Sequence, residues 1–303
     1  MMNSKPQVDF MTMGDEDFAN TIICSAVTIS QVYPDSHLYV YDWGLSELSK
    51  EELRQIGNCE IIDWKENLAY DLPHFESLKL SIENTITNNK PTEYIFEKWL
   101  GYSFQSLEKK KDFYMCQKPQ CILDCFDRTN NSLVFLDGDA ILIDSIDEEL
   151  ENEFDVGVTL RPKIQIERMS NDGVEMLLNA GVIIFNCLPE KAKIFVESWL
   201  DQIDQMDVFG LREQTALSKL IRRSNEGIFD GYYNVGNLDI QSRTVSIRVL
   251  PCEKYNYYWV EKGYDPNRSK ILHFKAGAHN DETHKKVIKS IKNGDVDEWG
   301  WEV

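Results

Sequence analysis

The 303-residue sequence has no long hydrophobic run. Its longest apolar stretches, such as AGVIIF at 180–185, fall far short of the roughly 20 residues a membrane-crossing helix needs. The start, MMNSKPQVDFMTMGDED, has no apolar core of signal length and soon turns acidic, so no signal peptide is expected. Basic residues are in short supply: 32 Lys and Arg stand against 51 Asp and Glu, a formal charge of −19. A surface of that sign repels nucleic acid and anionic lipid, which excludes both as simple electrostatic partners. No CxxC pair occurs among the seven cysteines, and no second half of a zinc site follows the loose group Cys116, Cys121 and Cys125. Reduced thiols and a cytoplasmic location are the expectation. Internal repeats and low-complexity linkers are also missing.

What remains is a globular composition, 42% hydrophobic and 11% aromatic, in a chain long enough for one large α/β domain. The first third alternates strand and helix: a strand at 8–13, a helix at 17–33 stopped by Pro34, a strand at 37–44, a helix at 45–57 closed by Gly57, and a strand at 59–64. This order predicts a parallel sheet with helices on both faces. Residues 65–115 are mixed and hard to read. Helical spacing returns at 118–127, 188–204 and 212–223, and strands are expected at 131–143, 155–162, 179–187, 244–250 and 270–274.

The stretch VFLDGDAILID (134–144) carries two carboxylates inside an apolar run. In a strand, positions i and i+2 share a face, so Asp137 and Asp139 aim at one spot. Two carboxylates that close repel unless a cation or proton lies between them. Oxygen ligands suit hard metals such as Mn2+ or Mg2+. Gly138 lets a ligand approach the backbone. The competing reading is a solvated turn, because D-G is a common hairpin dipeptide. A haloacid-dehalogenase-like phosphatase with Asp137 as nucleophile also fits LDGDA, although that motif usually lies near the start of its fold and here about three strands precede it. An EF-hand loop is excluded, because its fifth position would be Ile141.

VFLDGDAILID, LNAGVIIFN, LREQTALSKL and ILHFKAGAHN occur in that order. Together they resemble the ordered motifs of GT-A-fold glycosyltransferases that use nucleotide-diphosphate sugars, especially those similar to glycogenin and the bacterial lipopolysaccharide galactosyltransferases (family 8-like). The resemblance runs from about Val8 to His279. It implies a Rossmann-like, mixed and mainly parallel sheet. One domain spans 1–303, with a nucleotide-binding half at 1–130, a metal, donor-sugar and acceptor half at 131–280, and a C-terminal tail at 281–303.

The resemblance also implies roles. Asp137, Asp139 and His273 would ligate Mn2+, or Mg2+ in its place, beside a UDP-sugar. Lys275 and Gly277 would meet the diphosphate, although HFKAGAHN departs from the family's HxxGxxKPW; Lys118 would meet the diphosphate or the sugar, and Gly138 would let the ligand approach the backbone. Thr12, Met13, Gly14 and Asp42, at the carboxyl edge of the sheet, would meet the nucleoside. Asn179, Ala180 and Gly181 match the family's N-(A/S)-G near the donor sugar, and Glu213 and Gln214 match a D-Q pair at a helix start. The acceptor would be a glycan or other hydroxyl compound, receiving a hexose or pentose, and the aromatic run YNYYWVEKGY (255–264) would be its platform, part of the core or a subunit contact. A non-catalytic sugar-nucleotide or glycan-binding module is the remaining alternative.

Overall fold

The computed structural model describes residues 7–68, 114–163, 166, 177–206, 212–225, 227–257, 269–275 and 282–293. The strands are β1 (Val8–Asp15), β2 (Leu38–Gly44), β3 (Cys59–Asp63), β4 (Ser132–Asp137), β5 (Ala140–Leu142), β6 (Val156–Leu160), β7 (Leu178–Phe185), β8 (Val235–Ile240), β9 (Arg243–Pro251) and β10 (Ile271–His273). The helices are α1 (Ala19–Val32), α2 (Glu47–Ile56), α3 (Lys118–Cys125), α4 (Asp147–Leu150), α5 (Pro189–Asp204), α6 (Arg212–Arg222), α7 (Cys252–Tyr255) and α8 (Glu282–Asn293).

Among the described residues, eight strands form one sheet in the order β3-β2-β1-β4-β7-β6-β9-β8. The first four are parallel, β7 runs antiparallel to β4 and β6, β9 is parallel to β6, and β8 returns antiparallel to β9. The expected mixed, mainly parallel α/β sheet is therefore present. Alternation along β1 sorts its side chains: Phe10 joins the core that includes Ile22 of α1 and Leu53 of α2, while Met11 and Met13 join the core that includes Ile122, Trp199 and Leu217 of α3, α5 and α6. All eight residues of β7 are buried, as expected of a central strand covered on both faces.

Local chemistry sets the element ends. Ser46 caps α2 by accepting a hydrogen bond from Ser49 N, and Gly57 ends it at φ +80°. A 3-10 turn, Glu16–Phe18, precedes α1, so the helix starts at Ala19 rather than at 17. β5 leaves the main sheet and pairs antiparallel with β10. Helix α8, within the segment read as a tail, places Val287 and Ile291 in a third small core with Ile141, Leu272 and Phe274. That core fixes the β5–β10 ribbon against α1, whose Thr21 Oγ lies 2.8 Å from His284 Nε2. Among the described residues, no helix is long and apolar enough to cross a membrane. All seven cysteines are free thiols, and burial pushes those of Cys24, Cys59 and Cys187 up to about 12.

Trp199 joins α5 to α6: it is fully buried, and its indole N–H donates to Glu213 O at 2.8 Å. Replacing it with Phe removes that bond and leaves a small void. The expected cost is about 1–3 kcal/mol, measured by urea unfolding. An unchanged midpoint would contradict this packing.

Candidate metal centre and donor site

β4 ends at Asp137, which lies in register with Met13 of β1. The chain then turns through Gly138 and Asp139 before β5 begins. The stretch 131–143, whose acidic pair is expected to end or break the strand, is two short strands, and they lie in different sheets. A Cβ on Gly138 would lie 2.5 Å from Met13 O, so the chain passes across the end of β1 at a distance only glycine permits. The turn, not strand alternation, brings the two carboxylates together. It is a turn but not a hairpin, because β4 and β5 do not pair with each other.

His273 arrives through the β5–β10 ribbon, in which it pairs with Ala140 and Phe274 N donates to Asp139 O at 2.8 Å. Its Nε2 lies 2.8 Å from Asp139 Oδ1 and 3.7 Å from Asp137 Oδ2. The ligand atoms of Asp137, Asp139 and His273 all fall within 4.8 Å of one another, the one such group among the described residues. On the other side of the ring, Nδ1 is 2.6 Å from Asn256 Oδ1. The Asn256 amide is fully buried, and its Nδ2 donates to Thr159 Oγ1 at 2.7 Å and Asn179 Oδ1 at 2.9 Å. That network turns Oδ1 toward the imidazole, so Nδ1–H is the donor and Nε2, which faces the carboxylates, is the nitrogen that would offer its lone pair to a cation bound between them. Gly181 completes the seat: a Cβ there would lie 2.0 Å from His273 Cε1.

This donor set fits a hard divalent cation. Metal–oxygen bonds of about 2.1 Å put adjacent octahedral ligands about 3 Å apart, close to the separations seen. Charge fits as well. Lys118 Nζ contacts Asp137 at 2.8 Å and lies 3.7 Å from Glu213. Asp137, Asp139 and Glu213 against Lys118 leave three negative charges and one positive, a net −2. Burial opposes the Lys118 charge, but Asp137 and Glu213 outweigh it and hold its pKa above the ordinary value. Burial likewise opposes the Asp139 charge, and His273 and Lys118 override it, so Asp139 ionises more readily than a free carboxyl.

The remaining candidates divide. Gln214 follows Glu213 in the first turn of α6; its Nε2 donates to Glu213 Oε1 at 3.2 Å and its Oε1 accepts from Arg161 Nη2 at 2.8 Å. Lys275 donates to Asn256 O at 3.0 Å, and burial pulls its ammonium down to about 8. Asn179 turns its amide oxygen inward, onto Gly181 N and Asn256, and Ala180 is buried. The glycine of the N-A-G run makes room for the His273 ring, where the sequence reading had a ligand approach. Asp42 is consumed by the fold: Oδ1 accepts from Gly44 N and Leu45 N, and Oδ2 faces Lys50 and Lys65. Met13 and Thr12 are buried, and Gly14 packs against Phe18 and Ile22. Gly277 and residues 258–264 of the aromatic run lie outside the described residues; Tyr255 and Tyr257 are core.

Two residues escaped the sequence reading. Asn256 hid inside the aromatic run, where a lone amide among core residues signals an obligatory hydrogen-bond partner. Arg161, within the strand expected at 155–162, is buried and donates to Leu178 O and Gln214.

No family model matches the chain, and no curated protein sequence matches it. Solved structures do. The bifunctional glycosyltransferase WbbM, in its apo structure, aligns with 95% of this chain and 52% of its own at 11% identity, with a TM-score of 0.50. The galactosyltransferase LgtC, solved with donor and acceptor sugar analogs, aligns with 94% of this chain and 95% of its own at 16% identity and a TM-score of 0.48. Mouse xyloside xylosyltransferase 1 aligns with 90% and 99% at 12% identity and 0.44. With the strand order above, the likeness to WbbM gives the chain a GT-A-type fold.

The seat of His273 is testable apart from any activity. Gly181→Ala drives a methyl group into the ring, and Asn256→Leu removes its acceptor. Each is expected to weaken Mn2+ binding by about 10–100-fold in calorimetry. Wild-type affinity in both variants would remove His273 from the metal site.

Proposed function

We propose that the protein is a metal-dependent glycosyltransferase that moves a hexose or pentose from a UDP-sugar to a hydroxyl of a glycan or small acceptor. The observation that carries this reading is the Asp137–Asp139–His273 cluster with Asn256 holding the imidazole for ligation. When bound, Mn2+ (or Mg2+) supplies Lewis-acid neutralisation of the charge that develops on the departing diphosphate. Lys275 adds a preorganised cation on the same side. Lys118 holds Asp137 in place and limits repulsion among the three carboxylates. Gln214, clamped by Arg161, and Glu213 stand at the start of α6 as the groups facing the sugar and its acceptor. Free thiols, five of the seven buried, support a reducing, cytoplasmic setting.

The phosphatase alternative needs Asp137 as a nucleophile and gives no role to His273 or Asn256. The arrangement of Asn256, Gly181 and His273 around one ring nitrogen favours the transferase.

Calorimetry with UDP-sugars is the direct test. A UDP-sugar is expected to bind only with Mn2+, and Asp139→Ala is expected to lose that binding. Metal-independent binding, or an unaffected variant, would sink the proposal. A pH series adds a second check. The Lys275 ammonium is present below its pKa of about 8 and lost above it. UDP affinity is therefore expected to fall as pH rises from 7 to 9, and Lys275→Arg is expected to flatten the profile. A profile that is flat in the wild type would remove Lys275 from the diphosphate site.

A further inference from the structure

We propose that helix α8 is a latch on the metal centre: its docking positions Asp139 and His273 for ligation, and bound Mn2+ in turn holds the helix down; this rests on the metal-dependent reading above. Both ligands hang on the β5–β10 ribbon. Asp139 immediately precedes β5, His273 ends β10, and Phe274 N ties the two ends by donating to Asp139 O at 2.8 Å. The ribbon stands outside the main sheet. Two strands alone are marginal in water, so what packs on the ribbon decides where it sits. Alternation gives it two apolar faces. Ala140, Leu142 and Ile271 belong to the core that includes Ile22 of α1. Ile141 and Leu272 belong to the third core, where Val287 and Ile291 of α8 meet them together with Phe274. Leu272 and Phe274 flank His273 in the sequence, so the face that α8 covers lies next to the ligand.

Helix α8 depends on the same contact for its own order. It has 12 residues, a length that is marginal for a helix standing alone in water. His284, Val287 and Ile291 recur at helical spacing and are buried, while Lys285, Lys286 and Lys289 are exposed. His284 meets both neighbours: its Nε2 is 2.8 Å from Thr21 Oγ of α1, and its ring stands edge-on to Phe274 with 4.6 Å between centroids. Undocking α8 exposes Ile141 and Leu272, which are now buried, and frees the strand end that carries His273. A cation that needs both ligands in place binds the docked form more tightly. Linkage then requires the cation to favour docking by the same factor. Cys24 reports the state of the latch. Its thiol is buried in the third core and lies 3.8 Å from Ile288 O of α8, whereas Cys121 and Cys125 are buried in the core that includes Trp199.

The test follows labelling of Cys24 by N-ethylmaleimide, resolved by mass spectrometry, in the wild-type protein with and without Mn2+. Mn2+ at about a hundred times its Kd is expected to slow Cys24 labelling at least tenfold, toward a limit of about 100-fold if only the docked form binds. Cys121 and Cys125 are expected to react far more slowly than Cys24 without Mn2+, because undocking α8 leaves their core closed. The double variant Val287→Asn, Ile291→Asn keeps every ligand and is expected to bind Mn2+ about tenfold more weakly or worse in calorimetry, with fast labelling at Cys24. Val287→Ile keeps the contact apolar and is expected to retain wild-type affinity. If the double variant does not fold, labelling of the wild type decides alone. Mn2+ that binds without slowing Cys24, or one common labelling rate for Cys24, Cys121 and Cys125, overturns the latch. So does a folded double variant with wild-type affinity. A wild-type protein that binds no Mn2+ overturns the metal centre itself, and the latch with it.

Discussion

The hydrogen bond between His273 Nδ1 and Asn256 Oδ1 is the contact on which the site depends. Imidazole ligates through a nitrogen that carries no proton, and an isolated ring has two candidates. Asn256 decides between them, because its own orientation is set by Thr159 and Asn179. A buried amide with every group paired is rigid, and its bonds strengthen one another in a low-dielectric interior. The same Asn179 oxygen accepts Gly181 N, so the backbone beside the ring and the acceptor behind it are held by one network. Strand β7, the end of β6 and helix α7 all exist here in a geometry that serves a single nitrogen.

The carboxylates meet that nitrogen through a different device. The parallel half of the sheet brings the ends of β1 and β4 together, and Gly138 lets the chain cross the end of β1 without a side chain in the way. The crossing puts Asp139 on the β5–β10 ribbon, whose register then delivers His273. Lys118 sits beneath as a buried counter-charge. It moderates the repulsion among Asp137, Asp139 and Glu213 but does not cancel it, and the residual negative field suits a divalent cation.

Much of this was legible from residues alone. The first three strands and two helices read clearly because Pro34, Ser46 and Gly57 punctuate them and the apolar periods between are strong. β7 read clearly because a covered strand is a continuous apolar run. That Asp137, Asp139 and His273 meet was legible from the order of motifs. A strand end at the acidic pair was legible, but the departure of β5 into another sheet was not, because ILI resumes the apolar run after Asp139. β8 was missed because Val235–Ile240 is an edge strand diluted by glycine, asparagine and aspartate. Asp42 looked like a ligand at a sheet edge, yet the loop after β2 needs an acceptor for two backbone N–H groups and takes it. Asn256 and Arg161 act through partners distant in sequence, and no local pattern announces such partners.

The most direct measurement is pulsed electron paramagnetic resonance on Mn2+ added to the protein, first alone and then with UDP. The account predicts modulation from one directly ligated imidazole nitrogen, abolished by His273→Gln, and a phosphorus coupling that appears with UDP. Bound Mn2+ with no nitrogen coupling, or with no phosphorus coupling at saturating UDP, would contradict it.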